Sequence, residues 1–89
     1  MEIIYSILEA SMKGALKTHV MFKCNLNSKQ LQLYLQFLVD KSLLERYRLP
    51  QSMKIQYKTS ELGRRYTQAY ETLLGLVGPR KPVGLPLRD

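Results

Sequence analysis

One cysteine, Cys24, and one histidine, His19, are all that the chain offers as thiol or imidazole. That scarcity excludes a disulfide within the chain and leaves too few soft donors for a structural zinc site. The two residues lie five positions apart, with Cys24 on an apolar face and no third group to orient a base, so they do not read as a nucleophilic pair. A glycine-rich phosphate loop and a metal-ligand cluster are absent as well. The expectation is a protein without catalysis, metal or cofactor. No run of about 18 apolar residues is available to cross a bilayer. The N-terminal segment carries Glu2 and Glu9 without a basic leader region or a small-residue cleavage site. A soluble cytoplasmic protein is expected, in the host cytoplasm if its origin is viral, with no membrane partner and no evident small-molecule ligand.

Acidic side chains are scarce too. Seven Asp and Glu stand against fourteen Lys and Arg, a formal charge of +7, with a pI near 9.8. Such a balance points to a polyanionic partner. The excess is local: between residues 43 and 58, Arg46, Arg48, Lys54 and Lys58 are opposed by Glu45 alone, whereas Arg64 and Arg65 are matched by Glu61 and Glu71. Eighty-nine residues, 45% of them hydrophobic, suffice for one small core and sit close to the size at which dimerisation often helps.

What the chain does have is a clear central segment, Asn27 to Ser42. Leu31, Tyr34, Leu35 and Leu38 recur at helical spacing and leave Lys29, Gln30, Gln32 and Gln36 outside. Asn27 or Ser28 can cap the start, and Gln30 follows Asn27 by three, as a capping box prefers. The outward amides are groups that pair with adenine edges, beside a lysine suited to phosphate or guanine. An ordinary solvated glutamine-rich face is the competing reading.

Before it, Ile3, Ile4, Ile7, Leu8 and Met12 form one stripe of a helix from Glu2 to about Lys13, stopped by Gly14. Ala15 and Leu16 suit a very short extended piece. Thr18 or a neighbour then caps a second helix to Lys23 or Cys24, with Val20, Met21 and Cys24 inward. Asn25, Leu26 and Asn27 break the pattern at helix-turn-helix spacing. After Ser42 the period becomes two: Leu43 to Leu49 alternates apolar with charged residues, Pro50, Gln51 and Ser52 turn the chain, and Met53, Ile55 and Tyr57 alternate with Lys54, Gln56 and Lys58. Thr59 or Ser60 caps a last helix whose broad apolar face comprises Leu62, Tyr66, Ala69, Tyr70, Leu73, Leu74 and Val77, ended by Gly75, Gly78 and Pro79. Residues 79–89 combine prolines with Arg80, Lys81 and Arg88, as a flexible basic tail would.

Helix, short strand, helix, helix, strand, basic hairpin turn, strand, helix is the order of a winged helix-turn-helix, a mainly α fold with a small β-hairpin (α+β). The runs LKTHVMFKCNLN, QLQLYLQFLVDKSLL and YKTSELGRRY resemble the second helix, recognition helix and wing-to-last-helix junction of small archaeal winged-helix DNA-binding proteins and transcriptional regulators, also carried by archaeal viruses and plasmids. The likeness covers Glu2 to about Leu74. It implies a DNA-binding domain over 1–78, homodimeric through the last helix (about 60–77), without a cofactor. Such proteins usually have glycine where Ser42 stands, and the last helix here is too short for the long coiled coil of some members.

In that geometry the recognition helix, about 28–41, turns Ser28, Lys29, Gln32, Leu33 and Gln36 toward the major groove of double-stranded DNA. Lys17, Thr18 and His19 open the second helix, where free backbone N–H groups favour phosphate. On the wing, about 46–58, Lys54, Gln56 and Lys58 share a face with Ser52 at the tip. They are favoured for the backbone or minor groove over Arg46 and Arg48, which have acidic neighbours to pair with. Leu62, Tyr66, Tyr70, Leu73, Leu74 and Val77 are the expected dimer interface. A sequence-specific homodimeric transcriptional regulator is the leading reading, and a non-specific architectural DNA-binding protein or a protein-interaction module are the alternatives.

Overall fold

The computed structural model describes residues 2–77, built as helix α1 (Glu2–Ala10), strand β1 (Ala15–Leu16), α2 (Lys17–Cys24), α3 (Ser28–Asp40), β2 (Leu44–Arg48), β3 (Ile55–Thr59) and α4 (Glu61–Val77). This is the expected α+β order. The strands form an antiparallel sheet in the order β1-β3-β2, so the short extended piece at Ala15 completes a sheet with the hairpin. The expected tail at 79–89 lies outside the described residues. Among those described, no helix is long and apolar enough to cross a membrane.

The core is a single cluster. Ile7 and Leu8 of α1, Ala15, Val20 of α2, Leu31, Leu35 and Leu38 of α3, Leu44 and Tyr57 are buried together. The three α3 leucines are spaced so that one stripe enters the core and the rest of the helix surface stays outside.

The helix ends have identifiable causes. α1 stops at Ala10, short of the expected Lys13, because the carbonyl of Ser11 is taken by the N–H of Gly14 and by that of Thr59 on β3, each at 3.0 Å. Gly14 then turns the chain at φ +97°, a value only glycine adopts freely. The second helix does not use Thr18 as its cap. Strand β1 runs straight into α2, so its N-cap is Leu16, still extended at φ −80°, ψ 156°, with no side-chain hydrogen bond. The first N–H groups of α2 are therefore left without a side-chain cap.

Between α2 and α3 the chain reverses in a few residues. Asn25 adopts the left-handed conformation at φ 55°, with its N–H donating to Phe22 O and that of Leu26 to Met21 O, a Schellman closure. Two residues on, Asn27 Oδ1 accepts from Gln30 N at 2.8 Å while Gln30 Oε1 accepts from Asn27 N at 3.1 Å, the full capping box. One helix is closed and the next opened by residues two apart.

α3 ends at Asp40, one residue before the expected Lys41. Ser42 N donates to Val39 O and Leu43 N to Leu38 O, again a Schellman closure, which forces Ser42 to φ +63°. Glycine would take that conformation without cost. Serine thus holds the left-handed exit that glycine would take more easily. Its carbonyl also accepts from the Ser60 hydroxyl at 2.7 Å, and that hydroxyl oxygen accepts from Gly63 N at 3.0 Å, so Ser60 caps α4 and ties it to the end of α3. Gly63 has a packing reason: a Cβ there would lie 2.4 Å from the Leu43 carbonyl oxygen and 2.6 Å from Thr59 Cγ2.

Candidate nucleic-acid interface

The hairpin's register decides which of its charges lie near α3. Leu44 is opposite Thr59, Arg46 opposite Tyr57 and Arg48 opposite Ile55. Opposed residues of an antiparallel pair share a face. Arg46 and Arg48 therefore stand on the same side as buried Leu44 and Tyr57, the side turned toward α3. Glu45 and Tyr47, with Lys58 and Gln56 opposite, take the other side.

The facing of the strands differs from the alternation read in the sequence. The alternation from Leu43 to Leu49 suggests a half-buried strand with its tyrosine inward. In the fold only Leu44 of β2 is buried and Tyr47 is exposed. The core under β2 ends at Leu44, so the hairpin projects beyond it. Two of the favoured trio stand on the sheet face away from α3: Gln56 is packed over Gly14, so close that a Cβ there would lie 2.7 Å from its Nε2. Lys58 is half-buried opposite Glu45. Arg46 and Arg48, expected to pair with acidic neighbours, are in no ion pair among the described residues, and Glu45 instead accepts the Tyr47 hydroxyl at 2.6 Å, which pushes the phenol pKa up.

A cleft joins α3 to the hairpin, lined by Gln32, Leu35, Gln36, Val39, Arg46 and Tyr57. On its other flank Lys17, at the first position of α2, donates from Nζ to Gln32 Oε1 at 2.7 Å. That bond turns the Gln32 amide so that its NH2 is left to donate. Gln36 Nε2 donates to Asp40 Oδ1 at 3.4 Å, which leaves its carbonyl oxygen as the free end. Ser28 and Lys29 are exposed at the start of α3, and Thr18 and His19 at the uncapped start of α2. At the wing tip Ser52 and Lys54 are exposed, with Ser52 Oγ accepting from Lys54 N at 3.4 Å. The tip turns through Met53 at φ +61°.

The arrangement thus brings together Lys17, Lys29, Gln32 and Gln36 with Arg46, and leaves Gln56 and Lys58 on the opposite sheet face. Arg46 and Arg48 are the residues that sequence reasoning set aside. Their signal was present in Leu44, whose burial fixes the parity of the strand. Leu33, in the middle of the outward face of α3, is 69% exposed, and Phe22 on α2, unremarked in the sequence, is 88% exposed.

On α4, Leu62, Leu73 and Leu74 are exposed, and Leu76, outside the expected set, is 75% exposed. Two of the six expected interface residues are used within the chain. Tyr66 packs against the core, and Tyr70 stacks on Tyr5 of α1 with ring centroids 4.7 Å apart. The Tyr5 hydroxyl donates to Glu71 at 2.6 Å, a bond that raises its pKa well above the ordinary phenol value, with burial adding to it. The side chain of Val77 lies outside the description. Cys24 is half-buried in a groove with Tyr5, Ser6, Glu9, Ala10 and Lys23. Burial pushes its thiol up against the opposing influence of Lys23, so it stays protonated near neutral pH.

A family model described as winged helix-turn-helix matches residues 1–77. No curated protein matches the chain.

Proposed function

The chain belongs to the winged helix-turn-helix family, whose members are typically non-enzymatic DNA-binding domains, and from that premise we propose that it is a sequence-specific, double-stranded DNA-binding transcriptional regulator acting as a homodimer. α3 enters the major groove and the hairpin lies along the flanking backbone or minor groove. One observation carries the reading: Lys17, Lys29 and Arg46 surround the exposed amides of Gln32 and Gln36, and these cations are in no ion pair among the described residues. Phosphate contacts by the cations would fix orientation, and the amides would meet base edges. Lys17 has a double use. It is near the uncapped start of α2, and through Gln32 it sets the polarity of an amide donor.

Homodimerisation is supported by the exposed Leu73, Leu74 and Leu76 at the end of α4, a row of apolar side chains that water alone does not favour. Two copies would present two α3 helices to half-sites about one helical turn apart.

The test is selection from random duplexes at moderate salt, with the mass in solution recorded alongside. A short palindrome enriched by a species of twice the 10.4 kDa chain mass is the expected result. Affinity should fall steeply with salt, by a slope of roughly −0.9 for each phosphate contacted. Salt-sensitive binding without enrichment would replace the regulator with an architectural protein, and absence of duplex binding would end the DNA reading.

A further inference from the structure

The outward face of α3 is not uniformly polar. Lys29, Leu33 and Gln36 lie at helical spacing along its ridge, with Gln32 beside them, and all four are exposed. Leu33 sits at the middle of that ridge, opposite the stripe of Leu31, Leu35 and Leu38 that holds the helix to the core. The leucine there lies outside the core cluster. Its exposure places an isobutyl group at the edge of the cleft-facing amides, which keep a donor on Gln32 and an acceptor on Gln36, with Gln30, Tyr34 and Phe37 on its other side.

We propose, resting on the reading that α3 enters the major groove, that Leu33 reads the C5-methyl group of a thymine and so makes this protein select sites with an A·T pair at the centre of each half-site. The major-groove edge is the one DNA surface that presents an apolar methyl beside hydrogen-bonding groups, and thymine alone carries it. The match is specific in its order. The Gln32 NH2 meets an acceptor such as thymine O4 or a purine N7, Leu33 meets the methyl, and the Gln36 carbonyl oxygen accepts from an adenine or cytosine amino group. The neighbouring cations make a nucleic acid, rather than an apolar peptide, the occupant that this face suits: Lys29 stands one turn before the leucine on the same ridge, Lys17 and Arg46 lie toward the adjoining Gln32 and Gln36, and the chain carries +7 overall. Phe37, half-exposed one turn further, has Lys41 5.8 Å from its ring centroid, so the apolar strip is bordered by positive charge on that side as well.

The experiment uses the full chain and A·T-containing duplexes taken from the selected pool, each compared with a copy in which one thymine at a time is replaced by deoxyuridine. Burial of one methyl group corresponds to roughly a fourfold change in affinity. The expected result is one thymine per half-site whose replacement weakens binding by about fourfold. Leu33→Ala should weaken binding to the thymine duplex by a similar factor and abolish the difference between thymine and deoxyuridine. An exposed helix position takes alanine without loss of helix propensity, so the variant is expected to fold, and circular dichroism checks that. Duplex binding that is indifferent to every thymine methyl, or a methyl effect that survives Leu33→Ala, overturns the proposal while leaving the DNA-binding reading intact. A Leu33→Ala chain that has lost its dimer mass assigns the face to a second copy and overturns it too. If no duplex binds, both readings fall.

Discussion

The cleft between α3 and the hairpin and the seam between α1, β3 and α4 are built from similar residue types to opposite effect. At the seam most polar side chains have a partner inside the chain, the buried Ser11 hydroxyl being the exception. Thr59 donates to the Leu8 carbonyl at 2.6 Å, Tyr5 to Glu71, Ser60 to the Ser42 carbonyl, and Tyr70 covers Tyr5. Gly63 lets the backbone of α4 approach that of Leu43. At the cleft, Lys29, Arg46 and Arg48 are exposed and in no ion pair among the described residues, and the amides bonded to Lys17 and Asp40 keep one end each in solvent. Satisfied polar groups specify a structure, whereas unsatisfied exposed ones specify a partner. Substitutions at the seam should therefore move stability and leave affinity alone, and substitutions at the cleft should do the reverse. Any residue that moves both would break the contrast.

The largest effect is expected at the seam. Gly63→Ala puts a methyl where the Leu43 carbonyl and Thr59 already are, and backbone must shift to admit it. Overpacking costs about 1 to 3 kcal/mol, against which alanine recovers up to ~1 kcal/mol of helix propensity. A net loss of up to about 2 kcal/mol would lower Tm by ~4–8 °C per kcal/mol, measured by thermal denaturation. The salt slope of DNA binding by the folded fraction should be unchanged.

Next comes a pair within the hairpin. Arg46→Ala should weaken duplex binding roughly fivefold and reduce the magnitude of the salt slope by about one, with Tm unaltered. Lys58→Ala, an equal loss of charge in the same hairpin, should weaken binding less, because Lys58 faces away from α3 and stands opposite Glu45. Equal losses from the two variants would show that only net charge counts, and the contrast between sheet faces would be lost.

Ser42→Gly sharpens the comparison from the other side. Ser42 holds φ +63° at the exit of α3, and glycine should stabilise the chain by up to ~1 kcal/mol in denaturant unfolding. The Ser42 carbonyl remains available to Ser60, so affinity should not change.

The smallest effect concerns pH. The Tyr5 phenol is raised above its ordinary 10.0 by the bond to Glu71 and by burial. The unfolded chain loses this proton near pH 10 while the native chain keeps it, so the stability it contributes is complete below pH 10 and declines as pH rises beyond. Tyr5→Phe should remove part of that alkaline decline in Tm. Tyr47 and Tyr70, also raised, would supply the remainder.

Much of the architecture was legible in the chain. Apolar periodicity gave four helices and two hairpin strands in the right order, the spacing of Asn27 and Gln30 foretold a capping box, and even the two-residue strand at Ala15 is present. Helix ends were less legible. The end of α1 depends on a hydrogen bond from Thr59, and the exit of α3 on a closure that serine accepts in place of glycine. The outward face of α3 was legible in the sequence, and the facing of the hairpin strands was not. Alternation fixes which residues share a face but not which face is inward, and the parity of β2 is set by Leu44 entering a core that the helices supply.

By itself, then, the sequence determined the properties that are local or additive: helical stripes, caps, the turn between α2 and α3, the excess of positive charge and its concentration between residues 43 and 58. These follow from neighbours along the chain, whose geometry is set by the backbone periods of helix and strand. Only the tertiary structure decided that Arg46 shares a cleft with Gln32 and Gln36, that Gln56 is packed over Gly14, and that Gly63 is a contact surface rather than a flexible point. Each of those depends on two segments far apart in sequence meeting at one register, and a long-range contact is fixed by the packing of the whole core, which no local period encodes.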